Sequence, residues 1–264
     1  MTKLTSMLGA PFCVAIGIGT VLSATPSVQE ANRIIKVNEG RPLAAAILKL
    51  ENQLGQAISY EDPPYAHSDD YVDSTASVSG VPNSARRSFS PRGGRFEFSY
   101  RWLPEGREHE QTRSVLSAML MSYSRNYSSP AIFELRETPS AFHVVPVVAR
   151  DRNGLLIAHE ALLDTVVDLS SQDMTALAAI DSVVSAISAK TKRPLFVGNV
   201  PLNVLYRSRT NIGSVGQPAR TVLLGVLEAT GEKMSWRMLC TAGAETMPCY
   251  LNIRVVPRPG DRTK

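Results

Sequence analysis

One helical pattern occurs twice in this chain. Val115, Leu116, Met119 and Leu120 build one apolar helix face, and Val222, Leu223, Val226 and Leu227 repeat that spacing 107 residues later. Both segments run into a hairpin that carries Val-Val-Pro, at Val144-Val145-Pro146 and at Val255-Val256-Pro257. A fixed offset with the same order of elements is what a tandem duplication leaves behind. The length agrees, since 264 residues is enough for two units of roughly 100–150 residues, each able to bury its own core.

The elements around these helices can be read from periodicity. In the first half, residues 33–37 read as a short strand. Pro42 suits a first helical position, and Leu43, Ile47, Leu50 and Leu54 recur at helical spacing up to Gly55, which stops the helix. Residues 57–60 read as a strand, and Phe96, Phe98 and Tyr100 alternate with polar residues as a half-buried strand does. The helix of Val115 follows, then strands at 131–136 and 142–149 around the turn Thr138-Pro139-Ser140. In the second half, residues 166–169 form a strand and about 173–190 form a helix with Leu177, Ile180, Val184 and Ile187 on one face. Residues 195–197 make another strand. A Pro/Asn/Gly-containing connection leads to the second copy of the helix, and the hairpin 236–256 closes the chain. The expected fold is therefore α+β: two tandem small β-α-β-β-α-β-β domains, each with two helices packed on one face of a small sheet. The domains span 31–150 and 155–258, with a boundary in the charged turn 150–154 and a tail at 259–264. Residues 155–163 read equally as a strand or a short helix.

The first 24 residues read as a processing signal. Lys3 precedes an uncharged, mainly apolar stretch at 7–22, and Ser23-Ala24 offers small residues at the exit. Gly9, Pro11, Gly17 and Gly19 dilute the stretch below what a bilayer span requires. The expectation is a periplasmic or secreted protein with no transmembrane span in the mature chain. Of three cysteines, Cys13 lies in the signal; Cys240 and Cys249 flank a short loop between two strands. In an oxidising compartment these two are expected to form a disulfide. A metal site would need more ligands than two cysteines, and no histidine lies nearby in sequence.

The segment 62–95 interrupts the first domain and is its least ordinary part. It opens acidic, with Asp69, Asp70 and Asp73 after Glu61 and Asp62, and ends basic, with Arg86, Arg87, Arg92 and Arg95, in a Ser/Pro/Gly-rich background. These seven residues from Asp69 onward are the candidate partner contacts, carried by a solvated loop. The spacing of its carboxylates matches no calcium loop, and four arginines without interleaved aromatics do not make a nucleic-acid surface. The net charge of +4, from 28 Lys/Arg against 24 Asp/Glu, permits contact with acidic surfaces without requiring it.

No catalytic, cofactor or metal constellation emerges. His159-Glu160 is followed by Ala161-Leu162-Leu163 rather than a second histidine, no G-x-S-x-G occurs, and Gly213-Ser214-Val215-Gly216 lacks the lysine of a phosphate loop. That stretch reads as a turn before a helix entry at Gln217-Pro218. The expected function is a non-enzymatic module binding an envelope protein or polymer. The alternative is an envelope hydrolase with a site between the halves, using His143, His159 or the carboxylates of the insertion.

The run Gly40-Arg41-Pro42-Leu43-Ala44-Ala45-Ala46-Ile47-Leu48-Lys49-Leu50, then Gln53-Leu54-Gly55 and Ile58-Ser59-Tyr60-Glu61-Asp62, resembles the secretin and TonB-receptor short N-terminal domain. In that family a strand, P-L-x-x-A-L, L-x-x-Q-x-G and a strand ending in Tyr open the domain. The resemblance covers most of 33–149 and, more faintly, 164–257, and the insertion at 62–95 departs from it. It implies the β-α-β-β-α-β-β plan and a periplasmic interaction module.

Overall fold

A computed structural model of the protein describes residues 31–75, 87–102, 107–127, 129–243 and 247–258. The expected signal segment 1–24, the expected tail 259–264 and Arg86 lie outside these. The chain is α+β. In order, the first half comprises β1 (Ala31–Glu39), α1 (Pro42–Leu54), β2 (Ala57–Glu61), β3 (Tyr71–Asp73), β4 (Phe89–Pro91), β5 (Gly94–Trp102), α2 (Glu108–Asn126), β6 (Ala131–Glu137) and β7 (Ala141–Arg150). A short β8 (Leu156–Ala158) and a 3-10 turn (Leu162–Asp164) lead into the second half. There β9 (Val166–Thr175), α3 (Ala176–Thr191), β10 (Leu195–Val197), α4 (Leu202–Arg207), β11 (Arg209–Pro218), α5 (Ala219–Glu228), β12 (Met234–Cys240) and β13 (Cys249–Val255) follow.

Local chemistry accounts for the helix boundaries. Leu43, Ile47, Leu50 and Leu54 are all buried on α1, and Gly55 ends it in the left-handed region at φ 63°, with its N–H on the Glu51 carbonyl. On α3 the hydroxyl of Thr175 accepts from the Ala178 N–H at 3.2 Å. That cap starts the helix at Ala176 rather than near 173, and residues 166–175 all belong to β9.

The same strand pairings occur in both halves. β1 runs antiparallel to β5 as a two-stranded ribbon, and β9 does the same with β11. β2 pairs parallel with β7, which pairs antiparallel with β6; β10, β13 and β12 repeat this. In the first half the buried side chains of α1 and α2 share one core with Ile35, Phe96 and Phe98 of the ribbon and with Ile58, Phe142 and Val144 of the sheet. The helices thus lie between ribbon and sheet rather than on a single sheet face. Their apolar surface is wide enough for this, since Leu43, Ala44, Ala46, Ile47 and Leu50 are all buried on α1.

The halves are joined through one continuous sheet. β12 of the second half lies parallel to β2 of the first, with Arg237 opposite Tyr60 and Met238 opposite Glu61, giving the order β10-β13-β12-β2-β7-β6. β8 pairs with β7 beyond β2. Paired residues point to the same face of a sheet. Tyr60 belongs to the first core and Met238 to the second, so the helices of the two halves cover opposite faces of the shared sheet. β2 is buried along all five residues for this reason.

Two stretches depart from the sequence reading. The connection after β10 contains the short helix α4 and the ten-residue strand β11. Gly213-Ser214-Val215-Gly216 lies inside β11 rather than in a turn, at two register shifts against β9. There the Gly216 N–H donates to the Asp168 carboxylate at 2.7 Å. The insertion, expected as a solvated loop, begins buried at Glu61 and Asp62, and its ends pair as the β3–β4 ribbon.

Candidate interaction surface

The junction is polar on the face of β2 that meets the second half. Glu61 accepts from Nη1 of Arg220 on α5, and Arg220 also bonds Asp164 at 2.9 Å. Asp164 in turn takes both oxygens to Arg136 on β6, at 2.7 and 2.8 Å. The result is an alternating chain of charge, Glu61–Arg220–Asp164–Arg136, that ties the halves together. Burial pushes the Glu61 carboxyl up against the pull of Arg220. Burial also acts to raise Asp164, but the hydrogen bond from Arg136 and the charge of Arg220 outweigh it and hold this carboxyl low.

His143 lies on the same face, buried and stacked on Trp236 with ring centroids 4.8 Å apart. Burial, then the nearby charges of Arg220 and Arg136, depress its pKa to about 3. Neither ring nitrogen has a hydrogen-bond partner among the described residues. A general base must touch the proton it removes, and this imidazole instead packs against an indole.

Two further carboxylates from the first half bind the second. Asp62 accepts from the Arg41 guanidinium at 2.6 Å, from the Tyr65 hydroxyl at 2.9 Å and from the Cys240 N–H at 2.9 Å. Arg41 reaches past it to the Cys240 carbonyl at 2.7 Å. Glu51 accepts from the Ile58 N–H at 3.1 Å and lies 3.4 Å from Arg254 and 3.6 Å from Arg237. Cys240 and Cys249 face each other directly across β12 and β13, with sulfurs at the bonding distance of 2.08 Å.

The candidate contacts of the insertion are divided by the fold. Asp70 is buried and paired with Arg150 of β7 at 3.0 Å, and its backbone carbonyl accepts from the Arg92 N–H at 2.7 Å. Burial raises the Asp70 carboxyl against the opposing charge of Arg150. This pair fastens the ribbon to the body. Asp69 is exposed 3.8 Å from the His67 ring, Asp73 is exposed and held low by hydrogen bonds from Thr75, and Arg87 is exposed close enough to reinforce that effect. Arg95 is exposed beside Glu97 at 3.0 Å. Asp69, Asp70, Arg92 and Arg150 line an open cleft of about 540 Å³ with Tyr127. A second cleft of about 280 Å³ holds Pro64, Arg150, Asp151, His159 and Arg193. Neither lining includes a serine, threonine or cysteine. Among the described residues no group of three His, Cys, Asp or Glu is placed to hold a metal ion, and no helix is long and apolar enough to cross a membrane.

The two ends of the shared sheet are β6 and β10. Beside β6, Leu120, Met121, Ile132, Phe133 and Leu135 line a groove of about 270 Å³. At the other end Phe196 and Tyr250 form an exposed ring pair, centroids 5.8 Å apart. Sequence reading missed the junction carboxylates because it assigned Glu61 and Asp62 to a solvated loop.

Searches of protein families, curated proteins and solved structures find nothing that matches this chain.

Proposed function

We propose that this chain is an exported, non-enzymatic interaction module that binds an envelope protein or polymer in the periplasm or outside the cell. The observation that carries this reading is the insertion, whose paired ends are fastened through Asp70 and Arg150 while Asp69, Asp73, Arg87 and Arg95 stand exposed with mixed charge. A charged surface held by a partly buried ion pair suits selective recognition of a complementary partner. The signal-like segment 1–24 and the facing cysteines Cys240 and Cys249 support export, since a disulfide persists in an oxidising compartment. With the β3–β4 ribbon and the short helix α4 set aside, each half has the order β-α-β-β-α-β-β, which supports kinship with the secretin and TonB-receptor short N-terminal domain.

The test is a pull-down from envelope extract with the chain and with a variant carrying Asp69→Lys, Asp73→Lys, Arg87→Glu and Arg95→Glu. The expected result is a partner recovered with the first and lost with the second, while thermal unfolding stays unchanged. Equal recovery with both would remove the insertion as the contact surface.

A further inference from the structure

The junction inside the chain shows how one half binds another, and both of its surfaces occur a second time, uncovered among the described residues, at the ends of the sheet. The correspondence is residue by residue. Ile58 faces Phe142 in the β2–β7 pair, and Leu195 faces Cys249 in the β10–β13 pair. The equivalence extends to hydrogen bonds, for the Ile58 N–H is met by the side chain of Glu51 at 3.1 Å and the Leu195 N–H by that of Ser188 at 2.9 Å. It follows that Ser59 corresponds to Phe196 and His143 to Tyr250. From the facing pairs Glu137–Phe142 and Cys240–Cys249, Phe133 of β6 corresponds to Trp236 of β12.

At the internal junction β12 adds parallel to β2, and Ser59 and His143 cover Trp236. The ring of His143 stacks on the indole at 4.8 Å, and the backbone N–H of Trp236 donates to the Ser59 hydroxyl at 3.2 Å. At the sheet ends the sizes are exchanged. Phe196 and Tyr250, 51% and 42% exposed, replace Ser59 and His143, and the smaller Phe133 sits in the groove of Leu120, Met121 and Leu135 where Trp236 would be. Two protruding rings at one end match a recess at the other.

We propose that copies of this chain associate head to tail, with β6 of one copy adding parallel to β10 of the next and its groove receiving Phe196 and Tyr250. This rests on the interaction-module reading only in treating sheet edges as contact surfaces, and names a second copy of the chain as a partner. Strand addition supplies backbone hydrogen bonds and the ring pair supplies apolar burial. The contact is heterologous, so every added copy leaves one β6 and one β10 edge free and assembly continues into a ring or filament.

Sedimentation equilibrium of the purified chain alone tests this, independently of any envelope partner. The weight-average mass should rise at least twofold between about 1 and 500 μM, the range expected for a short edge contact. Phe196→Glu/Tyr250→Glu blocks one end, and Met121→Glu/Ile132→Lys blocks the other; each variant should remain monomeric. Mixed in equal amounts, they should form a dimer and nothing larger, because only one pair of ends is competent. In the unaltered chain, hydrogen exchange at the amides of β6 and β10 should slow as concentration rises, which needs no variant to fold. A chain that stays monomeric throughout, blocked variants that fail to combine while the unaltered chain assembles, or slowed exchange confined to other strands would each overturn the proposal.

Discussion

The imidazole of His143 and the indole of Trp236 lie stacked 4.8 Å apart at the junction between the two halves of the chain. The folded-state pKa of this histidine, near 3, lies below its ordinary value of 6.5. The unfolded chain therefore takes up the proton first as pH falls. The stability that depends on neutral His143 is complete above pH 6.5 and is lost progressively toward pH 3. Between pH 7 and 5 the loss is about 2 kcal/mol for a site that binds no proton when folded. Denaturant unfolding at the two pH values should show this difference in the unaltered chain and a much smaller one in His143→Phe, which keeps the stacking and cannot titrate. Equal pH dependence in both would remove His143 as the cause.

Arg220 stands between Glu61 and Asp164, and its side chain is only 9% exposed. Arg220→Ala leaves the Glu61 carboxylate buried without its partner, a change that costs about 3–5 kcal/mol. The double variant Arg220→Met/Glu61→Gln should recover much of that loss, because no charge is then left alone at this site. Unfolding midpoints of the two variants in urea measure both effects.

The bond between Cys240 and Cys249 closes a loop with a sequence separation of nine. Its removal by Cys240→Ala/Cys249→Ala should cost about 2–3 kcal/mol on the chain-entropy account. Mass spectrometry of non-reduced peptides should show the two residues linked, and free thiols in the purified chain would reject the link.

Asp70→Ala should release the insertion while the body stays folded, since it removes the ion-pair partner of Arg150 at the root of the β3–β4 ribbon. The Arg150 side chain is 20% exposed. Water therefore compensates part of the loss, and the expected cost is about 1–3 kcal/mol. Limited proteolysis should cut the variant within the insertion sooner than the unaltered chain, and equal cleavage would show that the pair does not hold the ribbon.

The elements that could be read from the sequence are those whose signal is local. Leu43, Ile47, Leu50 and Leu54 lie on one face of α1 because the helix repeats every 3.6 residues, and Phe96, Phe98 and Tyr100 are buried together because a strand repeats every two. The order β-α-β-β-α-β-β that remains in each half without β3, β4 and α4 follows from such patterns, as does the pairing of Cys240 opposite Cys249. β11 escaped them because only Ile212 and Ser214 of its ten residues are buried and its register shifts twice. A strand with so few core positions and a broken alternation carries no period for a reader to find.

What the sequence by itself determined is most of the content of each half: its two longer helices and its closing hairpin. Only the tertiary structure decided that β12 would lie beside β2, that the helical layers would take opposite faces of one sheet, and that Glu61, Asp62 and His143 would be buried between them. Periodicity reports which side of an element is apolar, whereas the choice of a neighbouring strand depends on edges far apart in the chain. Glu61 illustrates the difference. As a charge after an apolar strand it reads as the start of a solvated loop, and it is Arg220, far along the chain on α5, that makes its burial sustainable.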